Sequence, residues 1–116
     1  MSGSESRKYA RFDKECRVRY RVLETDEPPH EGISVNISGG GLCMRSKNSI
    51  SRGKTLALQI EIDGLQNPLL ALGMVVWTRK DDAVWHESGI TFWWVGRQLE
   101  TSQDPRLEYV KNKLRL

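Results

Sequence analysis

Hydrophobic and polar residues alternate along three separate segments, 18–22, 33–37 and 56–62. The apolar positions are Val18, Tyr20 and Val22; Ile33, Val35 and Ile37; and Leu56, Leu58, Ile60 and Ile62. A period of two residues is typical of a β-strand that buries one face. The pattern therefore predicts a half-buried strand in each segment, with its apolar residues pointing into a common core.

Three further strands and one helix complete the predicted architecture. Leu42 and Met44 resume an apolar face after three glycines, and segment 69–78 is apolar on both faces, as in a covered strand. Segment 84–94 is rich in aromatic residues. Near the end of the chain, Asp104 and Pro105 suit the start of a helix. The next apolar residues recur at helical spacing: Leu107, Val110 and Leu114.

Short connections between consecutive strands indicate an antiparallel sheet, and closing that sheet into a barrel removes its exposed edges. We therefore predict an all-β fold, a six-stranded antiparallel β-barrel with a C-terminal α-helix. The predicted organisation is a flexible basic N-terminal arm at 1–14, the barrel at 15–96, and a linker with the helix at 97–116.

Composition and charge narrow the class of function. The chain has 116 residues, 38% hydrophobic and 28% charged, which suits one soluble globular domain. No apolar run is long enough to span a bilayer and the N-terminus has no apolar signal core, so we predict a cytoplasmic protein without membrane insertion. The first 21 residues contain seven lysines and arginines but only three acidic residues. This imbalance favours an anionic partner, although a solvated charged flank is the alternative.

Catalytic and metal chemistry find little support in the sequence. The two cysteines and two histidines lack the spacing of metal ligands. They are Cys16, Cys43, His30 and His86. No nucleophile occurs together with a base and an orienting group, as a catalytic site would require. We therefore predict no enzyme activity, metal or cofactor. Four tryptophans could stack the bases of a single-stranded nucleic acid. Because they cluster in the last two strands, packing against the core and the helix is the simpler interpretation, and a nucleic-acid partner is unlikely.

The sequence NISGGG at 36–41 is the first candidate for ligand chemistry. Asn36 and Ser38 are two residues apart and share one face of a strand. The glycines that follow allow a sharp turn and leave N–H groups open to a ligand. Such a turn, taken alone, commonly does no more than connect two strands. Further upstream, RKYAR places Arg7 and Arg11 four residues apart with Lys8 between them.

The pair R-x-x-x-R and [DN]-x-S-x-x-G, in this order and spacing, resembles the PilZ domain family. The resemblance extends over about residues 6–96 and includes the late segment Gly89-Ile90-Thr91-Phe92. It implies a six-stranded barrel that binds the bacterial second messenger cyclic di-GMP. The implied ligand-binding residues are Arg7, Lys8, Arg11, Asn36, Ser38, Gly39, Gly40 and Gly41.

Each implied role fits the chemistry of a ligand with two guanines and two phosphates. Arg7 and Arg11 suit guanine edges and phosphates, since a guanidinium fork matches both. The amide oxygen of Asn36 can accept from the guanine edge, while Ser38 and the glycine main chain can donate to phosphate. Many family members carry Asp in place of Asn36 and Arg in place of Ser6. Whether one ligand or a stacked pair binds therefore stays open.

Our hypothesis is a bacterial cyclic di-GMP receptor whose arm folds over the bound nucleotide and signals to an unidentified downstream protein. Two alternatives remain. The first is a PilZ-like module that binds a protein without ligand. The second is a barrel that binds RNA or single-stranded DNA through its basic arm.

Overall fold

A computed structural model describes residues 15–97 and 104–116, together with the main chain of 11–12. Within these ranges it contains seven strands and one helix. They are β1 (Arg11–Phe12), β2 (Cys16–Val22), β3 (His30–Ser38), β4 (Gly41–Ser46), β5 (Thr55–Glu61), β6 (Leu69–Lys80), β7 (His86–Arg97) and α1 (Pro105–Leu114).

Six strands close into an antiparallel barrel in the order β3-β2-β5-β6-β7-β4, and β4 pairs back with β3. This confirms the predicted six-stranded antiparallel barrel with a C-terminal helix. Strand β1 adds two residues to the far end of β3, at a position that the sequence assigned to an arm. The remainder of that predicted arm, 1–10 and 13–14, lies outside the described residues, as does 98–103 of the predicted linker.

The barrel interior is filled by apolar residues of five strands, β2 and β4 to β7, together with Ile37 of β3. Eight of them are no more than 1% exposed: Val18, Tyr20, Met44, Leu56, Leu58, Ile60, Ala71 and Val75. Phe92 and Ile62 pack against this cluster from the barrel end. Burial of these side chains supplies the main hydrophobic stabilisation of the fold.

The alternation prediction is wrong for part of β3. Ile33 and Val35 are only half buried, whereas Ser34 between them is fully buried. The pairing of β3 with β4 shifts register between Ser34 and Asn36, which is a β-bulge at Val35. The bulge resets the alternation, so that only Ile37 of the three predicted residues enters the core. The hydroxyl of Ser34 donates to the carbonyl of Asn36 at 2.7 Å and holds the bulge.

The helix α1 covers the outer face of β5 and β6. Its buried residues form a second apolar cluster with the sheet: Leu107, Val110 and Leu114 against Ala57 and Leu70. As predicted, Asp104 is the N-cap, and its carboxylate accepts from the Arg106 N–H at 2.9 Å. No helix in the described part of the chain is long and apolar enough to cross a bilayer.

Two arginines of β2 hold the other end of the helix. The Arg19 side chain donates to the carbonyl of Leu114 at 3.2 Å, and Arg21 donates to the carbonyl of Lys113 at 3.2 Å. Cations are favourable at this end because the last carbonyls of a helix lack partners and carry partial negative charge. Arg19 and Arg21 thus have a structural role. From the sequence, both belong to a basic segment that was expected to bind an anionic partner.

The tryptophans are used differently from the prediction. Trp94 packs against the helix cluster as expected, with the guanidinium of Arg106 5.3 Å from its ring. Trp77 and Trp93, in contrast, are 41% and 58% exposed. They lie where the main chain shifts register, at the irregularities of the β6–β7 pairing, and these shifts turn both side chains away from the core.

Candidate functional site

Pairing of β1 with β3 brings the two sequence motifs together. The Cα of Arg11 lies opposite that of Ser38, and Phe12 lies opposite Ile37. The last residue of RKYAR is therefore a main-chain neighbour of the serine in NISGGG. Arg7 and Lys8, the other candidates of this motif, lie outside the described residues.

A row of side chains crosses four strands beside this junction. Asn36 pairs with Cys43, Cys43 pairs with Gly89, and Gly89 pairs with Trp77. Directly paired residues place their side chains on one face of a sheet. Asn36 flanks the buried Ile37 and therefore faces away from the core, so the whole row lies on the outer surface of the barrel. We call these four residues the outer row.

Gly89 seats the indole of Trp77 in the outer row. A Cβ at position 89 would lie 2.0 Å from Nε1 of Trp77, so no larger residue fits beneath the ring in this arrangement. A glycine within a strand commonly marks such a close approach. The guanidinium carbon of Arg79 lies 6.0 Å from the centre of the same ring. The partly exposed indole therefore offers a fixed aromatic surface at one end of the outer row.

The glycine turn is tied to both neighbouring strands. The N–H of Gly40 donates to the hydroxyl oxygen of Ser38 at 3.2 Å, and the carbonyl of Gly40 accepts from the N–H of Phe92 at 2.9 Å. The expectation that the turn leaves its N–H groups open is therefore wrong for Gly40. The Ser38 hydroxyl accepts in this contact, which leaves its proton free to donate to a ligand.

Gly41 has a packing reason to be glycine. A Cβ there would lie 2.1 Å from the carbonyl oxygen of Ile90 on β7. Gly39, the first glycine of the turn, lines a pocket of about 230 Å³. The rest of this largely apolar lining is Ile37, Ser38, Ile62, Leu69, Phe92 and Val95. The turn thus separates the outer row from an apolar recess.

Two arginines border the outer row on the barrel itself. Arg45 and Arg79 both pair across the sheet with Glu87. Arg79 forms an ion pair with the Glu87 carboxylate at 2.7 Å, and Arg45 forms one with Asp81 at 3.1 Å. Each guanidinium is therefore held in place two residues along its own strand from the outer row. Because each cation is paired with a carboxylate, their charges are largely compensated, and the fixed guanidinium groups offer remaining N–H donors rather than net positive charge.

Cys43 occupies the middle of the outer row and is half buried. Burial, and to a smaller extent the carboxylate of Glu87, raises the pKa of its thiol. The thiol therefore stays protonated at neutral pH and is a weak nucleophile. Among the described residues, no cluster of three or more His, Cys, Asp or Glu side chains is arranged to hold a metal ion.

Comparison with known families agrees with this geometry. The profile of the PilZ domain matches residues 5–102, which includes both motifs and the complete barrel. The chain belongs to the PilZ domain family. PilZ domains are binding and regulatory modules rather than enzymes, and cyclic di-GMP is the ligand expected for the family.

Among solved structures, the Bacillus subtilis inhibitor of motility MotI/DgrA is similar in fold, with a TM-score of 0.66 and 20% sequence identity. The match covers 91% of this chain and 50% of MotI/DgrA, so the PilZ chain spans half the length of that protein. No curated protein sequence is similar enough to serve as a relative.

Four residues of this surface were not assigned to the ligand from the sequence. Trp77 and Arg79 are far from NISGGG along the chain, whereas Cys43 and Arg45 follow it closely, and strand pairing brings all four to one surface. One signal was present. Gly89 interrupts an otherwise bulky strand, and such a glycine suggests close approach of another group.

Proposed function

We propose that this PilZ domain is a cyclic di-GMP receptor that binds the nucleotide over the outer row and the Ser38 turn. The observation that carries the proposal is the pairing of Arg11 with Ser38, because it joins the two motif segments at one place on the barrel. The fixed indole of Trp77 and the guanidinium donors of Arg45 and Arg79 support the same location.

Each group has a distinct role in this proposal. Arg7 and Arg11 grip guanine edges and phosphates with their guanidinium forks, and Lys8 adds positive charge. Asn36 accepts from the guanine edge, and its amide makes no hydrogen bond with any described residue. Trp77 stacks one base, because an exposed ring seated on main chain loses little conformational freedom on binding.

The downstream step is a change in the N-terminal segment. When Arg7 and Arg11 both contact the nucleotide, the chain between them is ordered beside it. The nucleotide and the segment over it then present a new surface to a partner protein. Binding is thereby converted into a signal without any catalysis by this chain.

Calorimetric titration with cyclic di-GMP tests the proposal, with GMP, GTP and a single-stranded oligonucleotide as controls. We expect cyclic di-GMP to bind and linear GMP to bind far more weakly, because two linked guanines can engage two arginines at once. Exposed Trp77 and Trp93 favour a second candidate, a single-stranded nucleic acid stacked on these rings. Binding of the oligonucleotide alone would support that candidate. Absence of heat with every ligand would favour the ligand-independent module.

The reactivity of Cys43 provides a test of where on the barrel the nucleotide binds. Alkylation of this thiol, followed by mass spectrometry at mildly alkaline pH, should slow when cyclic di-GMP covers the outer row. Cys16 is buried in the core and is the internal control. Calorimetric binding without protection of Cys43 would place the nucleotide elsewhere on the barrel.

A further inference from the structure

Strand β6 has a free edge beyond the barrel wall. It pairs with β5 only through Leu69–Met74, whereas it pairs with β7 as far as Lys80. The last contact on the β5 side is made by Val75, whose N–H donates to the carbonyl of Lys54 at 2.9 Å. Beyond it, no strand of the described residues pairs with 76–80 on this side. Unpaired main-chain groups at a sheet edge are a template for another strand.

Alternation of the main chain identifies the groups on this edge. The N–H and carbonyl of Val75 both point toward the β5 side. The register then shifts between Val75 and Trp77, which is a bulge at Val76. From Trp77 onward, alternate residues face β7 and the free edge in turn. This assigns the main-chain groups of Thr78 and Lys80 to the free edge, and those of Trp77 and Arg79 to the pairing with β7.

The free edge is bounded by opposite charges. At one end lies the exposed turn of Arg52 and Lys54. At the other end lies the hairpin tip with Asp81 and Asp82. The Asp82 carboxylate accepts from the N–H groups of Val84 and Trp85 at 2.8 Å each, which lowers the pKa of its carboxyl. Asp82 is therefore a fixed carboxylate that is ionised at neutral pH, whereas Asp81 is ion-paired with Arg45.

We propose that a second copy of this chain pairs with the free edge, antiparallel and two-fold symmetric about Thr78. In this register Arg79 lies opposite Trp77 of the second copy, and the Asp82 carboxylate of each copy reaches the Arg52–Lys54 turn of the other. Opposite charges then meet at both ends, whereas parallel pairing would place like charges together. The charge pattern therefore selects a second copy in one orientation.

Two features make this pairing a closed and reversible dimer. The two-fold arrangement uses the free edge of both copies, so no edge remains to extend a fibre. Only five residues of each copy form the ribbon, which is less than a permanent dimer needs. The monomer and dimer should therefore exchange with concentration. Trp77 belongs to the outer row and its side chain would meet Arg79 of the second copy, so nucleotide binding should change the dimer affinity. This linkage, unlike the dimer itself, rests on the proposed function.

Sedimentation velocity over a range of concentrations of the nucleotide-free chain tests the dimer, with Thr78→Pro as the decisive variant. Proline removes the N–H assigned to the free edge and leaves the β7 pairing intact. Because each dimer loses two donors, we expect its Kd to rise by at least about tenfold. Thr78→Ala keeps the N–H and should dimerise like wild type. Unchanged circular dichroism confirms that both variants are folded.

Charge reversal tests the orientation. Arg52→Glu combined with Lys54→Glu should weaken the dimer, and adding Asp82→Asn should restore part of it, since the amide keeps the turn acceptor and removes the repulsion. Thr78→Cys should form an intermolecular disulfide on oxidation, whereas Val84→Cys at the tip should not. A chain that stays monomeric at all concentrations, or a dimer that Thr78→Pro leaves unchanged, overturns the proposal. The free edge would then be a pairing site for an extended segment of a different protein.

Discussion

At the residue scale, two local features bring the motifs to one surface. The main chain of Arg11 lies beside Ser38 through the pairing of β1, while Asn36 faces outward only because of the bulge at Val35. Ser38 and Gly41 have structural contacts as well as a candidate role in binding. Binding measurements must therefore be separated from folding for each residue.

We expect Arg7→Ala or Arg11→Ala to weaken cyclic di-GMP binding by roughly 2–3 kcal/mol, the scale of a lost charge-assisted contact. Asn36→Ala should cost about 1–2 kcal/mol, since it removes one neutral contact. Titration at two salt concentrations distinguishes them, because only the arginine variants should flatten the salt dependence. Variants that bind like wild type would show that both motifs are unrelated to the ligand.

The seat of Trp77 gives a second test at this scale. Trp77→Ala should weaken nucleotide binding by about 1–3 kcal/mol, the range for loss of base stacking on an aromatic ring. Gly89→Ala should weaken it too, since its methyl group would displace the indole. Trp93→Ala, at a more exposed ring outside the outer row, is the matched control. Equal losses for Trp77→Ala and Trp93→Ala would argue against a specific stacking site.

At the element scale, the β2 arginines separate structural from binding charge. Arg19→Met and Arg21→Met should each lower the free energy of unfolding by about 1 kcal/mol, because each leaves a terminal carbonyl of α1 without its donor. Nucleotide affinity should not change. Arg17→Met is the control, since Arg17 is exposed and its one ion pair in the described part of the chain, with Glu31, is long at 3.9 Å. Urea unfolding beside calorimetry checks the set, and a loss of affinity in Arg19→Met or Arg21→Met would contradict it.

The helix N-cap predicts a pH dependence. Hydrogen bonds from Arg106 lower the pKa of Asp104 to about 2, below its usual value near 4. A carboxyl with a depressed folded pKa stabilises the fold above its unfolded pKa, and that contribution is lost as pH falls toward 2. Asp104→Asn should therefore reduce the acid sensitivity of melting between pH 4 and pH 2, measured by circular dichroism. Parallel curves for the two proteins would exclude this role.

The elements were largely predictable from sequence, but the site surface was only partly so. Local alternation found the barrel strands, and the pair Asp104-Pro105 found the helix start, because each depends on neighbouring residues. The bulge at Val35 was missed because apolar residues continue through it at the same spacing. Trp77 was missed for another reason. Its neighbours Gly89 and Cys43 are on other strands, and register between strands is not encoded in a short window.

At the scale of the whole molecule, hydrogen bonds tie the proposed nucleotide surface to the barrel wall. The carbonyl of Gly40 accepts from the N–H of Phe92 on β7, and the N–H of Gly40 donates to Ser38. A signal that depends on movement of the barrel would have to break these contacts. A change in the N-terminal segment is the route that leaves them intact.

Amide hydrogen exchange of the full chain tests that route. We expect residues 7–12 to gain protection when cyclic di-GMP binds, because contacts of Arg7 and Arg11 with the nucleotide order the main chain between them. The barrel strands should change little, since their hydrogen bonds are the same in both states. Arg11→Ala at saturating nucleotide is the control: with one anchor lost, protection of 7–12 should fall while nucleotide still occupies the outer row. Equal exchange of 7–12 with and without ligand, in wild type shown by calorimetry to be saturated, would refute the switch but leave nucleotide binding itself standing.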